Sequence, residues 1–579
     1  MPASDSHRVF RFREFELDET AYELRRLGSP VKLERRLMEL LILLVEHHRQ
    51  LVTRTDIAKR LWGKDVFVDV ETGVNAAISR VRQLLRDSAD KPEFIETVAG
   101  KGYRFIAAVD VVATGSSGIR LAVLPFDNFG MSAEREYLSD GLVEETIALL
   151  GQMDPEHVRV IGRTSAAKYK GMRKSLAEIG AELNADYLVE GSIQSEGDQI
   201  RITSRLIRVG DELQVWSDSF DRHITSFIGV QRELSKAIAE QIRLRLSPER
   251  LSALAQRHSG NADAYDLYLR GRYFWNRLTP ATNKRAIEYY ERAIALDRSY
   301  ALAWAGMAVV LIASPINSDT PPLQVLARAQ EATARAIETG GNLVEVQNCL
   351  GILHFLLDWD WPASEAAFRK ANALDPSDAL AYMLGHVLSQ MGQQQEAIEC
   401  LSRACELDPL NAVKHAMASQ VAFQAREFSR ALESAKRAIV IDPEFWIGYI
   451  QLGQTYEVLG EYDKASEAFV NAARFSGNNS KAISFRGHLL AKSGHVEEAR
   501  ELLTMLEAVS RERYIPPYAI ALVNAGLGER DAAINWLHHA AAARDVHLMF
   551  LPVDPKWDEY RENSRFKDVL AKCNFMHRG

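Results

Sequence analysis

Thiols are scarce in this chain. Cys349, Cys400, Cys405 and Cys573 are its only cysteines in 579 residues. None forms Cys-x-x-Cys, and no histidine is spaced to complete a zinc site, so no metal or other cofactor is expected. Scattered thiols suit a reducing cytosol. Long apolar runs are also missing. The longest, Leu40–Val45 and Ala303–Ala313, fall short of the ~18–20 residues a spanning helix needs. The polar start, Met1 to Ser6, carries no secretory signal. These absences predict a cytoplasmic protein without a membrane partner. An excess of positive charge is lacking too. The net charge is −8, so any nucleic-acid contact must come from a local patch. There is no P-loop, no Gly-x-Gly-x-x-Gly and no Gly-x-Ser-x-Gly, which leaves an enzymatic reading without a catalytic segment. The adjacent pairs His47-His48 and His538-His539 diverge by ~100° on a helix and cannot chelate together.

What is present begins with Thr72 to Arg104. Val74, Ile78, Val81 and Leu85 recur at helical spacing and share one face. The opposite face carries Thr72, Ala76, Ser79, Arg80 and Gln83, with Asn75, Arg82 and Arg86 flanking the apolar stripe. Short polar residues allow close approach to a major groove, and Arg can bond guanine bidentately. A hairpin pattern follows: Phe94 to Val98 and Tyr103 to Ile106, joined by Ala99-Gly100-Lys101-Gly102. A Lys at such a tip can reach a phosphate or the minor groove.

Together, in this order, these pieces resemble the DNA-binding domain of OmpR/PhoB-type winged-helix regulators. The residues that carry the likeness are Val74-Asn75-x-x-Ile78-x-Arg80-Val81-Arg82 and Thr97-Val98-x-Gly100-x-Gly102-Tyr103-Arg104-Phe105, with Leu61-Trp62-Gly63 upstream. The likeness runs from near Val9 to Ile106. It implies a winged helix-turn-helix (α+β) over 1–110 that binds double-stranded DNA. Asn75, Ser79, Arg80 and Arg82 are then expected in the major groove, and Thr97, Lys101 and Arg104 at the wing and the phosphates. The loop Trp62–Asp69 is expected either to touch RNA polymerase, as in the family, or simply to connect. Binding as a homodimer on tandem sites is likewise implied only by the family. Thr72, Ala77 and Ala99 stand where relatives often carry contact residues, and Lys101 can substitute for the last.

Ahead of this module, Phe10/Phe12, Phe15/Leu17, Tyr22/Leu24 and Val31/Leu33 predict short antiparallel strands. Residues 1–7 read as a tail, too short to hold a receiver domain. A helix through Leu37, Leu40, Leu41 and Leu44 and a Thr53-x-x-Asp56 cap come next. Having the DNA-binding domain first resembles ToxR/CadC-type regulators, which usually cross the membrane. Val111 to Gly118 reads as a linker.

Residues 119–250 predict an α/β sandwich with a mixed sheet, in the order βαβα-βββ-α. They resemble the amino-terminal domain of TolB through Ala122-Val123-Leu124-Pro125-Phe126, Gly141-Leu142, Ala185 to Ser192 and Leu213-Gln214-Val215-Trp216. Two clusters there raise questions. Asp127, Asp140, Glu144 and Glu145 are either solvated helix-start acids or a divalent-ion site. Gly162-Arg163-Thr164-Ser165 is either a turn or an anion site at a helix start.

From residue 260 to 579 the chain predicts an all-α solenoid. Asp375-Pro376, Asp408-Pro409 and Asp442-Pro443 recur at the tetratricopeptide period, and Trp446, Gly453, Tyr456, Ala465, Phe469 and Ala472 mark one repeat clearly. The stack should offer a concave face to a protein or peptide, with Lys414 and His415 among its candidates. The combined reading is a DNA-binding transcriptional regulator whose later regions sense a signal or bind a partner. The alternative is an interaction scaffold whose winged helix no longer binds DNA.

Overall fold

The computed structural model describes residues 8–575 except 14, 19–22, 27–28, 32, 34, 63–69, 90–91, 99, 108, 114–117, 130–135, 156, 197–198, 224–226, 243–258, 278–279, 318, 377–379 and 381. The chain forms two compact units, Met1–Gly118 and Ile119–Gly579.

The first unit opens with four short strands, β1 (Arg8–Phe12), β2 (Phe15–Asp18), β3 (Glu23–Arg26) and β4 (Ser29–Val31). After them come α1 (Arg35–Glu46), β5 (Val52–Thr53), α2 (Arg54–Trp62) and α3 (Val70–Leu85). Then β6 (Ile95–Val98), β7 (Gly102–Phe105) and β8 (Asp110–Ala113) complete it. Two sheets result, ordered β4-β3-β2-β1-β8 and β5-β7-β6. The expected linker is therefore partly strand: Val111–Ala113 pair with β1, Val112 opposite Val9.

The stripe read from the sequence packs as expected. Val74, Ile78, Val81 and Leu85 are buried with Leu40, Leu41, Leu44 and Ile57. Phe12, Phe15, Phe94 and Phe105 form an aromatic cluster, with Phe12 and Phe105 edge-on at 5.2 Å. Thr53 and Asp56 cap α2 reciprocally: the Thr53 hydroxyl donates to Asp56 at 2.6 Å and accepts from the Asp56 N–H at 3.1 Å. The Thr53 hydroxyl and the Thr53 N–H, both donating to it, hold the Asp56 carboxyl below its usual range. Gly102 is required where β5 and β7 meet, since a Cβ there would stand 2.2 Å from the Val52 carbonyl oxygen.

The second unit begins with β9 (Ile119–Val123), β10 (Asp127–Phe129), α4 (Glu136–Met153), β11 (Val158–Val160), α5 (Arg163–Ala167) and α6 (Leu176–Leu183). The long strands β12 (Tyr187–Glu196), β13 (Gln199–Arg208) and β14 (Leu213–His223) and then α7 (Phe227–Gln241) follow. The sheet order is β11-β9-β12-β13-β14, with β10 also on β12. Pairing is parallel among β11, β9 and β12 and antiparallel from β12 to β14, so the sheet is mixed as expected. One of its faces packs on α4 and α7 through Leu142, Leu149, Leu234 and Ile238. The other packs on α6 through Ile179 and Leu183.

From Ala262 the chain is helical. In several repeats the helices cross where the first is small and the second large. A Cβ on Gly453 would meet the Phe469 ring at 2.5 Å, and one on Gly351 would meet Phe368 at 2.9 Å. That is why the tetratricopeptide pattern pairs those residue types.

The anion loop of the α/β layer is filled from within the chain. Asp408, in one of the periodic Asp-Pro turns, accepts from the Ser165 N–H at 2.9 Å and from the Ser165 hydroxyl. It also accepts from Asn411 Nδ2 at 2.7 Å and lies 3.5 Å from Lys414 Nζ. Both side chains of that ion pair are almost fully buried, 1% and 2% exposed. Gly162 is needed here, because a Cβ would collide with the Asp408 carboxyl at 2.4 Å. Lys414 therefore sits in the seam between the α/β layer and the repeats rather than lining a concave face. His415 turns to the Pro409 carbonyl at 3.0 Å. The acidic residues do not share one environment: Asp127 is exposed, whereas buried Glu144 is held by Arg163 and Arg272, each at 2.7 Å, and by Asn276 at 2.6 Å.

The inner face of the stack is also occupied. Lys556 Nζ lies 4.9 Å from the rings of both Phe423 and Phe485 and donates to Gln454 at 2.9 Å. Those three residues belong to the first helices of successive repeats, Ala412–Gln424, Trp446–Val458 and Ser480–Lys492. The C-terminal segment thus crosses the face that those helices build together. Trp557 is fully buried in that segment, and Arg426 Nη2 donates to both carboxylate oxygens of Asp558, at 2.8 and 2.9 Å.

Removing Asp408 should strand a buried ammonium. Asp408→Ala is expected to cost about 3–5 kcal/mol in chemical denaturation, far more than Asp442→Ala at the equivalent turn. A second expectation concerns pH. Burial, with Lys481 nearby, pushes the His386 imidazole down to about 4. The unfolded chain takes up that proton at the ordinary value near 6.5, so stability falls as pH drops from about 6.5 toward 4. In urea titrations across that window, His386→Leu should remove on the order of 3 kcal/mol of acid sensitivity.

Candidate nucleic-acid interface

The surface of α3 opposite its buried stripe is polar. Thr72, Asn75, Ala76, Ser79, Arg80 and Gln83 are all exposed. The apolar stripe forces this, since burying Val74, Ile78, Val81 and Leu85 turns the remaining positions outward.

Arg82 behaves differently. Its guanidinium turns toward the hairpin, donating from Nη2 to the Ile95 carbonyl at 2.6 Å and to the Thr97 hydroxyl at 2.9 Å. Its side chain is only 11% exposed. Beside it, Asp87 accepts from the backbone N–H groups of Glu93 at 2.7 Å and Ile95 at 2.8 Å. Arg82 and Asp87, 4.0 Å apart, tie the end of α3 to the first strand of the hairpin. Thr97 stays exposed but is already bonded to Arg82.

Asn75 is oriented by two residues that the sequence reading passed over. Its carbonyl oxygen accepts from the Tyr103 hydroxyl at 2.6 Å and from Arg54 Nη1 at 2.9 Å. Arg54 also stacks over the Tyr103 ring at 5.3 Å. The carbonyl is thus spent within the protein, and the amide NH2 is what remains for a ligand. Tyr103 sat inside the quoted hairpin motif, and Arg54 opens α2. Neither shows a periodic signal that marks it as a partner of Asn75.

Asn75, Ser79, Arg82 and Thr97 therefore meet in one shallow concavity between α3 and the hairpin, together with Arg54 and Tyr103. Lys101 and Arg104 lie apart from it. Lys101 is exposed at the hairpin turn. Arg104 pairs with Glu96 across the hairpin at 3.1 Å. Of the expected polymerase loop, residues 63–69 fall outside the described residues, as does Ala99.

The family comparisons divide the chain in the same sense. Residues 28–105 match the family described as transcriptional regulatory protein, C terminal. The amino-terminal module is an OmpR/PhoB-type winged helix. Residues 117–237 match the HilA/YgeH-like transcriptional regulator second domain. Tetratricopeptide repeats match at 379–409 and 448–479. Among curated relatives, the putative adenylate cyclase 3 of Rhizobium meliloti is 29% identical over 227 residues, 38% of each chain. The chain thus spans well under half the length of that relative. The transcriptional regulator HilA of Salmonella typhimurium is 23% identical over 418 residues, 71% of this chain and 72% of its own. Among solved structures, the Klebsiella pneumoniae RstA DNA-binding domain, in complex with the RstA box, is 31% identical. It covers 17% of this chain and 96% of its own, with a TM-score of 0.16. A MamA structure is 22% identical, covering 30% of this chain and 94% of its own, with a TM-score of 0.25. No helix among the described residues is long and apolar enough to cross a membrane.

Because Arg82 joins helix to hairpin, its loss should be felt as stability. In urea unfolding of residues 1–118, Arg82→Ala is expected to cost about 1–3 kcal/mol, and Arg80→Ala less than about 1 kcal/mol.

Proposed function

We propose that this protein is a cytoplasmic, sequence-specific DNA-binding transcriptional regulator. Its α/β layer and repeat array would receive a signal or bind a protein partner. The observation that carries this is the exposed face of α3, with Arg80 and Ser79 outward and Asn75 fixed by Tyr103, next to a Lys-tipped hairpin in an OmpR/PhoB-type module. Arg80, Ser79 and the Asn75 amide are assigned to base edges in the major groove. Lys101 and Arg104 are assigned to phosphates or the minor groove. Arg82 and Thr97 serve the same surface as its brace. The division of labour follows the chain: 1–110 for DNA, 119–250 and 260–579 for input. Contact with RNA polymerase through Trp62–Asp69 and dimerisation on tandem sites belong to this reading as well.

A second reading keeps the array as the working part and makes the winged helix a protein-docking module. The acidic net charge and the small residues Thr72 and Ala77 at contact positions favour it. The two separate in a salt titration of the full chain on duplex DNA. The regulator reading predicts that log K falls steeply with log[salt], by about 0.9 per phosphate neutralised. The scaffold reading predicts no binding even at low salt. On a selected site, Arg80→Ala is expected to lose about 1–3 kcal/mol and to relax base preference. Equal affinity and preference in parent and variant would refute the assignment.

A further inference from the structure

An asparagine reads adenine with both ends of its amide: Nδ2 donates to N7 while Oδ1 accepts from the N6 amino group. That contact needs a carbonyl with a lone pair to spare. Asn75 has none. Its Oδ1 accepts from the Tyr103 hydroxyl at 2.6 Å and from Arg54 Nη1 at 2.9 Å. A carbonyl oxygen carries two lone pairs, and two donors take both. The same bonds settle which way the amide faces. A guanidinium only donates, so the Asn75 atom it meets is the oxygen.

This brace is built into the fold. Strands β5 and β7 pair with Val52 opposite Tyr103 and Thr53 opposite Gly102. Arg54 opens α2 directly after β5, so the register sets its guanidinium over the Tyr103 ring at 5.3 Å. Tyr103 is 3% exposed and belongs to the same core as Val74 and Ile78. Donors from two separate elements thus converge on one oxygen of a third. Asn75 itself is exposed and lines the concavity that it shares with Ser79 and Thr97. What it offers there is Nδ2, which only donates.

In the major groove guanine presents two acceptors, O6 and N7, and thymine presents O4. Cytosine presents the N4 amino group, and adenine sets its N6 amino group beside N7. A donor-only side chain meets acceptors on the first two. On cytosine or adenine it meets an amino group that also donates, and a buried donor left unmade is costly. Given the reading that α3 enters a major groove, on which this rests, we infer that Tyr103 and Arg54 set the base preference of Asn75. They turn it from an adenine reader into a donor-only reader of keto bases, guanine first because both of its groove atoms accept. Neither residue touches the base. Both act as positioning residues through the amide they hold.

The test starts from selection of random duplexes with the full chain, repeated with Asn75→Ala to mark the base pair whose preference Asn75 sets. Four duplexes that differ only at that pair are then titrated against the parent and against the double variant Tyr103→Phe, Arg54→Ala. The parent is expected to bind guanine or thymine there about tenfold more tightly than adenine. In the double variant the amide is free to turn and present oxygen and nitrogen together, so adenine is expected to come within about threefold of guanine or to overtake it. Melting temperatures establish first that the variant folds. Tyr103→Phe alone, which keeps the ring and removes one donor, stands in if it does not, with a smaller shift in the same direction. A merely structural role would weaken all four duplexes alike and leave their order unchanged, and that result would overturn the inference. So would a parent that prefers adenine or cytosine at that pair. An unchanged motif with Asn75→Ala would overturn the assignment of Asn75 while leaving DNA recognition by the rest of the module. A pool that stays random with the parent would overturn both.

Discussion

A single arginine sets the geometry of the surface between α3 and the hairpin. Arg82 leaves a helix whose other polar residues point outward and fastens that helix to the hairpin at Ile95 and Thr97. Asp87 completes the joint by gathering backbone N–H groups from the approach to β6. A charge-assisted bond is directional and strong where water is scarce, so the joint ties helix to wing. Preorganisation of this kind lowers the entropy lost on binding. The same logic extends to Asn75, whose amide is aimed because Tyr103 and Arg54 hold its carbonyl. The module thus commits one arginine and one carbonyl to shape and leaves Arg80, Ser79 and Lys101 exposed.

The larger unit is held by a comparable device at another scale. Asp408 lies in a turn that any repeat would need, since Asp-Pro ends one helix and opens the next unit. Here the carboxylate also caps α5 of the α/β layer and neutralises buried Lys414. The layer and the repeats consequently share one apolar core. A change at either side of that seam has a direct mechanical route to the other, the sort of contiguous contact through which coupling travels. The C-terminal segment adds a second constraint by burying Trp557 against Tyr518, Tyr560 and Phe566.

Much of this was legible in the residues. The 3.6-residue stripe of α3, the short amino-terminal strands, the mixed sheet and the 33–34-residue period each rest on local pattern, and local pattern is what side-chain direction dictates. What escaped was long-range or aperiodic. Nothing near Gly162 announces that its anion is Asp408, more than two hundred residues away. Lys414 looks like any surface lysine until its partner is found. The segment from Val546 to Tyr560 folds as 3-10 turns and carries no repeat signature, so its passage across the inner face left no trace in the pattern. At the interface, the types of the contact residues were readable. That Arg82 bonds inward while Arg80 lies outward was not, because both flank the same stripe and only the hairpin's position separates them.

The central claim is that a braced helix and wing read a defined duplex. Selection of bound DNA from a pool of random duplexes with the full chain tests it most directly. The account predicts enrichment of one short motif, with the base preference at one position lost when the selection is repeated with Arg80→Ala. A pool that stays random after repeated rounds at low salt would contradict it.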